Sequence, residues 1–364
     1  MKAADLPLQR PADARLLVLG ANGRIAHAPR STLASFLHTG DLVVANDAST
    51  LPASLHGAHV TSGAPIEVRL AARRSLMPDD VRRFAAVVFG AGDFRIRTEE
   101  RPLPPVMIPG DRLALGPLSA IVVKLLDHPR LVLLRFYGDA DAVWSGLARH
   151  GKPIQYAHMR APLRLWDVWT PIAGLPVAFE PPSAGFAIDW SMLREIRARG
   201  AGFATITHAA GISSTGDAEL DKRLPFDEPY RIPQHTADAV ARAHASGGRV
   251  IAIGTTVVRA LEHAALDNGR VRAGNGVANQ RIGPDSVLRI VDAILSGTHE
   301  AGTSHYELLR AFTDNARLER MNEVLELHGY LTHEFGDSVL IERQLVQRMA
   351  DLSRRPIIEY GARY

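Results

Sequence analysis

Cysteine is absent from the 364 residues. That removes disulfides, cysteine-ligated zinc, iron–sulfur clusters and thiol nucleophiles from consideration. Lysine is scarce: Lys2, Lys124, Lys152 and Lys222 are four among 42 basic residues, and arginine supplies the rest. That bias fits either GC-rich codon usage or phosphate recognition, for which the guanidinium fork has the better geometry. An excess of one charge is also missing. The formal net charge is +3, and the pI of about 9.3 leaves a weak pointer to an anionic partner. Long apolar runs are missing too. Stretches such as Leu131–Leu134 are strand-sized, far from the roughly 18–20 residues of a membrane helix. The opening Met1-Lys2-Ala3-Ala4-Asp5 lacks the apolar core of a secretory signal. A cytoplasmic chain without membrane contact is therefore expected.

What is present is ordinary for a soluble globular protein: 46% hydrophobic and 22% charged residues. The length predicts about two domains. Residues 1–55 open with a strand-like Arg15–Leu19, a Gly20–Gly23 turn and a short helix capped by Ser31 or Thr32. A buried strand, Leu42–Ala45, then ends in Asn46 and Asp47. Residues 56–148 contain short β-type runs: Ile66–Leu70, Ala85–Phe89, Phe94–Thr98, Ala120–Leu126 and Leu131–Tyr137. Their spacing predicts a small barrel or sandwich. From about 150 onward strands alternate with helices, at Ser191–Arg199, Phe203–Thr207, Pro233–Ala245, Arg249–Ile253, Val257–Leu266, Ser304–Phe312, Leu318–Leu327 and Val339–Ile341. Val287–Leu295 mixes both signals, and Arg343–Tyr364 starts helical and then frays. The expected architecture is an α/β main domain, residues 1–55 and 149–364, with an inserted β-barrel-like domain at 56–148. Clefts between such domains are favoured ligand sites.

Four segments can carry chemistry. Ile253-Gly254-Thr255-Thr256 joins a buried strand to a helix bearing Arg259. Helix-start N–H groups and hydroxyls hold anionic or polar ligand groups well, and Arg259 can pair a carboxylate or phosphate. The competing reading is a capped helix whose arginine pairs with an acid such as Glu262. The glycine pattern is neither GxGxxG nor a Walker A. In the second segment a strand delivers His208 into the small-residue loop Ala209-Ala210-Gly211, as an acid/base group or as a structural hydrogen bonder. The third, Pro181-Pro182-Ser183-Ala184-Gly185, is a rigid connection or a ligand-facing loop; Ser183 lacks a Gly-x-Ser-x-Gly context. The fourth, Gly297–Glu307, adds His299 and His305, and His333 and Glu334 follow later. Because no H-E-x-x-H occurs, no metal site is expected.

Taken in order, these segments resemble the S-adenosylmethionine:tRNA ribosyltransferase-isomerase family of queuosine biosynthesis. Gly40–Leu55 resembles its strand, Asn-Asp turn and Pro-Ala-x-Leu exit. Pro182-Ser183-Ala184-Gly185 is similar to its Pro-Thr-Ala-Gly loop, and Thr207-His208 to its Leu-His strand end. Gly254–Glu262 differs from its Gly-Thr-Thr-Ser-Val-Arg-Ala-Leu-Glu only at Val257. Val291–Leu295, His299, Ala311-Phe312 and Tyr330…Gly336–Ile341 complete the series, so only the insert is loosely matched.

The resemblance implies an α/β domain with a barrel insert and a site at their cleft. It also implies a reaction in which S-adenosylmethionine, as co-substrate, gives its ribosyl unit to the aminomethyl nitrogen of a 7-deazaguanine in the tRNA anticodon. Adenine and methionine leave, and an epoxycyclopentanediol forms. Such chemistry needs a base beside the sulfonium, an acid for adenine departure and a dry cleft; it calls for no metal, redox group or prosthetic cofactor. On this resemblance His208 and His299 are acid/base candidates. Asn46, Asp47, Ser183, Gly185, Gly254, Thr255, Thr256 and Arg259 are candidates for substrate contacts. Two family stretches are altered, at Gly297-Thr298-His299-Glu300-Ala301 and at Thr332-His333-Glu334-Phe335. These changes leave room for a paralogue acting on a small-molecule acceptor, or for a binding protein without turnover.

Overall fold

The computed structural model describes residues 1–265, 269–299 and 301–344. The reading of residues 345–364 as a fraying helix, the expected helix end at Leu266–Asn268, and Glu300 in the altered stretch lie outside the described residues.

Among the described residues, nine strands form one sheet. Its centre is four mutually parallel strands, in the order Gly202–His208, Leu42–Asn46, Val250–Ile253 and Ala293–Gly297. Antiparallel pairings with Glu228–Ile232 on one side and Ser338–Glu342 on the other continue the sheet. The central strands read as unbroken apolar runs because both faces are covered. Alternate residues go to opposite sides. Val44, Ala252 and Ile294 join one core with Val257, Leu261, Val240 and Leu318 from helices Thr255–Ala264, Gln234–Ala245 and Asn315–Leu327. Val43, Ile251 and Leu295 join the other with Leu33, Met192 and Ile196. The result is an α/β domain of three layers.

Six strands between Ser54 and Phe136 close into a barrel, in the order Leu118–His128, Leu131–Phe136, Arg83–Phe89, Pro65–Ala72, Ser54–His59 and Arg112–Leu115. Leu55, Val68, Phe84, Val88, Leu113 and Leu134 fill it. No helix among the described residues is long and apolar enough to cross a membrane.

Several local expectations change. The Arg30–Phe36 turn is a 3-10 helix entered from Pro29, without a side-chain cap from Ser31 or Thr32. Phe94–Thr98 is not a strand; the Arg95 backbone N–H donates to Asp93 Oδ1 at 3.0 Å, an Asx-type contact that competes with strand pairing. Helix Ala140–His150, capped by Asp139, was not anticipated. The mixed signals at Val287–Leu295 resolve into a strand only from Ala293. The backbone N–H groups of Arg289, Ile290 and Val291 are instead held by the Glu262 carboxylate.

Candidate active site

Parallel pairing puts the carboxyl ends of all four central strands on one side of the sheet. His208, Asn46, Gly254 and His299 lie at or just beyond these ends, where ligands bind in open α/β sheets. A cavity of about 510 Å³ opens there, lined in part by Ser183, Gly254, Thr255, Thr256, Arg259 and His299. Asn46, Asp47, Gly185 and His208 are not among its lining residues.

Asn46 bonds mostly to the backbone, and its Nδ2 also lies 3.5 Å from the Thr256 hydroxyl on the cavity wall. Its Nδ2 donates to the His208 carbonyl at 2.9 Å, and its Oδ1 accepts from the N–H groups of His208 at 2.9 Å and Ala48 at 3.0 Å. Asp47 accepts from Thr205 and Thr207 hydroxyls at 2.8 and 2.7 Å. Gly185 is buried; a Cβ there would lie 3.1 Å from Thr170 Cγ2. These residues shape the strand ends and the Ser183–Ala187 turn.

His208 is fully buried beside the cavity, its ring parallel to Tyr230 with centroids 6.5 Å apart. Its Nε2 lies 3.5 Å from Glu228 Oε2, and Glu228 does line the cavity. Burial, with the Arg259 charge adding, holds the His208 pKa well below the usual imidazole value. It is therefore neutral at pH 7.

Gly254 has φ +92°, and its neighbour is Ala184 Cβ, 3.5 Å from where a Gly254 Cβ would stand. Only glycine turns the chain there without strain. Helix Thr255–Ala264 starts directly after it. Arg259, on this helix, pairs with Glu228 and donates to the carbonyls of Ala278 at 2.9 Å and Gln280 at 3.3 Å. Burial lowers its pKa to about 10, so it stays charged. Its guanidinium is thus largely occupied within the protein.

His299 faces the cavity, with Nε2 2.9 Å from Ser296 Oγ and its ring 4.6 Å from that of His305. Burial, then the neighbouring His305 and His333, hold its pKa well below the usual value. His305 is lowered to about 4 by burial, with the Arg259 charge adding. Both imidazoles are neutral at pH 7, and a free ring nitrogen on either can take a proton.

A sequence model of the family described as queuosine biosynthesis protein matches residues 1–341. The chain belongs to that family. Curated relatives bear the name S-adenosylmethionine:tRNA ribosyltransferase-isomerase, two of them as follows. One, from Thermus thermophilus, is 31% identical over 90% of this chain and 92% of its own length. The other, from an Azoarcus species, is 31% identical over 93% of this chain and 94% of its own. A crystal structure of the S-adenosylmethionine tRNA ribosyltransferase of Thermotoga maritima matches 93% of this chain and 96% of its own, at 20% identity and a TM-score of 0.49.

Within this family member the cavity departs from the sequence reading in two ways. Its lining comes from residues 180–308, without any from 56–148, so the expected cleft between main domain and barrel is not where it lies. The segment after His208 fills that boundary instead: Ile212, Leu220 and Leu224 pack into the barrel core. The second departure is Glu180, which the sequence reading passed over. Glu180 is buried on the cavity wall, and its Oε2 accepts from the Ser213 N–H at 3.0 Å. Burial, with the Glu334 charge adding, pushes its pKa up to about 8. The available signal was a lone acid closing the apolar run Val177-Ala178-Phe179 ahead of two prolines.

Proposed function

We propose that this chain transfers and isomerises the ribosyl unit of S-adenosylmethionine onto 7-aminomethyl-7-deazaguanine in tRNA, with adenine and methionine released. One observation carries the reading: 31% identity, over nine-tenths of the chain, to proteins named for that reaction. The site is compatible with it. The cavity volume suits a nucleoside-sized ligand. His299 is neutral at pH 7 and serves as the base that removes the proton beside the sulfonium. Glu180 is protonated at pH 7 and serves as the acid that assists adenine departure. Two groups whose surroundings drive their pKa values in opposite directions are the expected pair for such a step. Thr255, Thr256 and Ser183 supply hydroxyls for the ribose, and Arg259, whose Nε has no hydrogen-bond partner, meets the methionine carboxylate together with Arg281 on the same wall. His208 acts from behind the wall through Glu228.

The chain is divided on this reading into a main domain, 1–55 and 149–364, and an insert, 56–148, with the tRNA anticodon arm reaching the cavity mouth in the cytoplasm. The test is incubation with S-adenosylmethionine and tRNA carrying the aminomethyl deazaguanine, followed by nucleoside mass spectrometry. The expected product is the epoxycyclopentanediol nucleoside, with one adenine released per product. Unmodified tRNA and no adenine would refute the reading.

A further inference from the structure

The altered stretch Thr332–Phe335 places His333 and Glu334 against His158, a residue from a different part of the chain. One ligand-type atom from each of the three side chains lies within 4.8 Å of the other two. The imidazoles of His158 and His333 are stacked, with centroids 4.5 Å apart. His158 Nε2 and Glu334 Oε2 are buried and make no hydrogen bond, a state unfavourable for a polar group.

The two segments are fixed against each other by the residues next to the donors. Met159 and Phe335 are both buried in one cluster with Leu163, Val168 and Phe186, and the Phe335 and Phe186 rings stack at 5.5 Å. The turn itself is tight: Gly336 N–H donates to the His333 carbonyl at 2.9 Å. His333 has φ +68°, and Asp127 is the other non-glycine residue with positive φ among those described. Such backbone persists where its surroundings over-determine it, often at functional positions.

We propose that His158, His333 and Glu334 bind one divalent first-row transition ion, zinc by preference. Two imidazoles and one carboxylate are a donor set for zinc or non-haem iron. Bonds of about 2.0–2.1 Å around a tetrahedral ion bring donor atoms to about 3.3 Å from one another, so a side-chain adjustment of about 1 Å closes the site. The three ligands leave the fourth position open. The site adjoins the cavity: the His333 carbonyl lies 4.0 Å from the Cβ position of Gly297, which lines it. This stands against the expectation that the chain carries no metal.

The test is metal binding by the full-length protein, stripped with chelator and then titrated with zinc by calorimetry and with cobalt(II) by visible absorption. One equivalent is expected per chain, with the ligand-field bands of four-coordinate cobalt. His333→Asn keeps a residue that tolerates the left-handed backbone and removes the donor; Glu334→Gln and His158→Ala remove the others. Each is expected to weaken zinc binding at least about 100-fold, with unchanged circular dichroism showing that the fold survives. His305→Ala, on the neighbouring histidine pair, is expected to leave affinity within about threefold. Absence of saturable binding would overturn the proposal. So would binding that survives His333→Asn and Glu334→Gln, or that falls with His305→Ala instead.

Discussion

Glu67 lies on barrel strand Pro65–Ala72, on the face opposite Val68, and Glu180 on the wall of the cavity; both are almost completely buried. Glu67 accepts from Arg69 Nε at 2.7 Å, Arg101 Nη1 at 2.5 Å and Ser54 Oγ at 2.9 Å. Burial works to raise its pKa, but the two guanidiniums win and bring it down to about 2. Glu180 is buried beside a second acid, Glu334; the Ser213 backbone and side chain and the more distant Arg69 charge do not offset this, and its pKa rises to about 8. The same side chain is thus a fixed anion in the scaffold and a proton carrier at the site. Burial alone does not separate the two roles; the identity of the neighbours does.

The largest test of that contrast is turnover. Glu180→Gln keeps the shape and loses the proton, and adenine release is expected to fall about 10²- to 10⁴-fold in a protein with unchanged circular dichroism. Near-normal release would return Glu180 to a structural role. Glu67→Gln is expected to cost about 3–5 kcal/mol in urea unfolding, because it leaves Arg69 and Arg101 buried without their anion. A loss under about 1 kcal/mol would mean that the barrel does not depend on this pair. Asn46→Ala, which deletes the clamp on the His208 backbone, is expected to cost about 1–3 kcal/mol and to weaken S-adenosylmethionine binding less than twofold by calorimetry.

A further test is the pH dependence of stability, where the two carboxyls act with opposite sign. Glu67 has its pKa below that of the unfolded chain, so its contribution is complete above about pH 4.5 and is lost as pH falls toward 2. Glu180 has its pKa above the unfolded value. The folded chain keeps a proton that the unfolded chain releases between about pH 4.5 and 8, so stability declines as pH rises through that window. Urea midpoints of Glu180→Gln and the parent chain are expected to diverge in favour of the variant from pH 5 to pH 8. Parallel curves would show that Glu180 is already ionised.

Much of this architecture is legible in the order of residues. Val43, Val44, Ile251 and Leu295 announce strands covered on both faces, and their polar exits converge on one end of the sheet because the strands are parallel. Less of the site is legible. Asn46 and Arg259 have the right chemistry for ligand contact, but Asn46 also bonds His208, 162 residues on, and Arg259 pairs with Glu228 on another strand. No local pattern reports which partner a polar group finds. His158 and Glu180 were silent for the same reason: each matters through neighbours more than 100 residues on, such as His333 and Glu334.

The segment after His208 belongs to both halves of the molecule. Its Leu220 and Leu224 pack in one cluster with the barrel residues, while Asp221, Lys222 and the same Leu224 form part of the pocket wall. One short segment therefore contributes both to the packing of the barrel and to the wall of the small-molecule chamber.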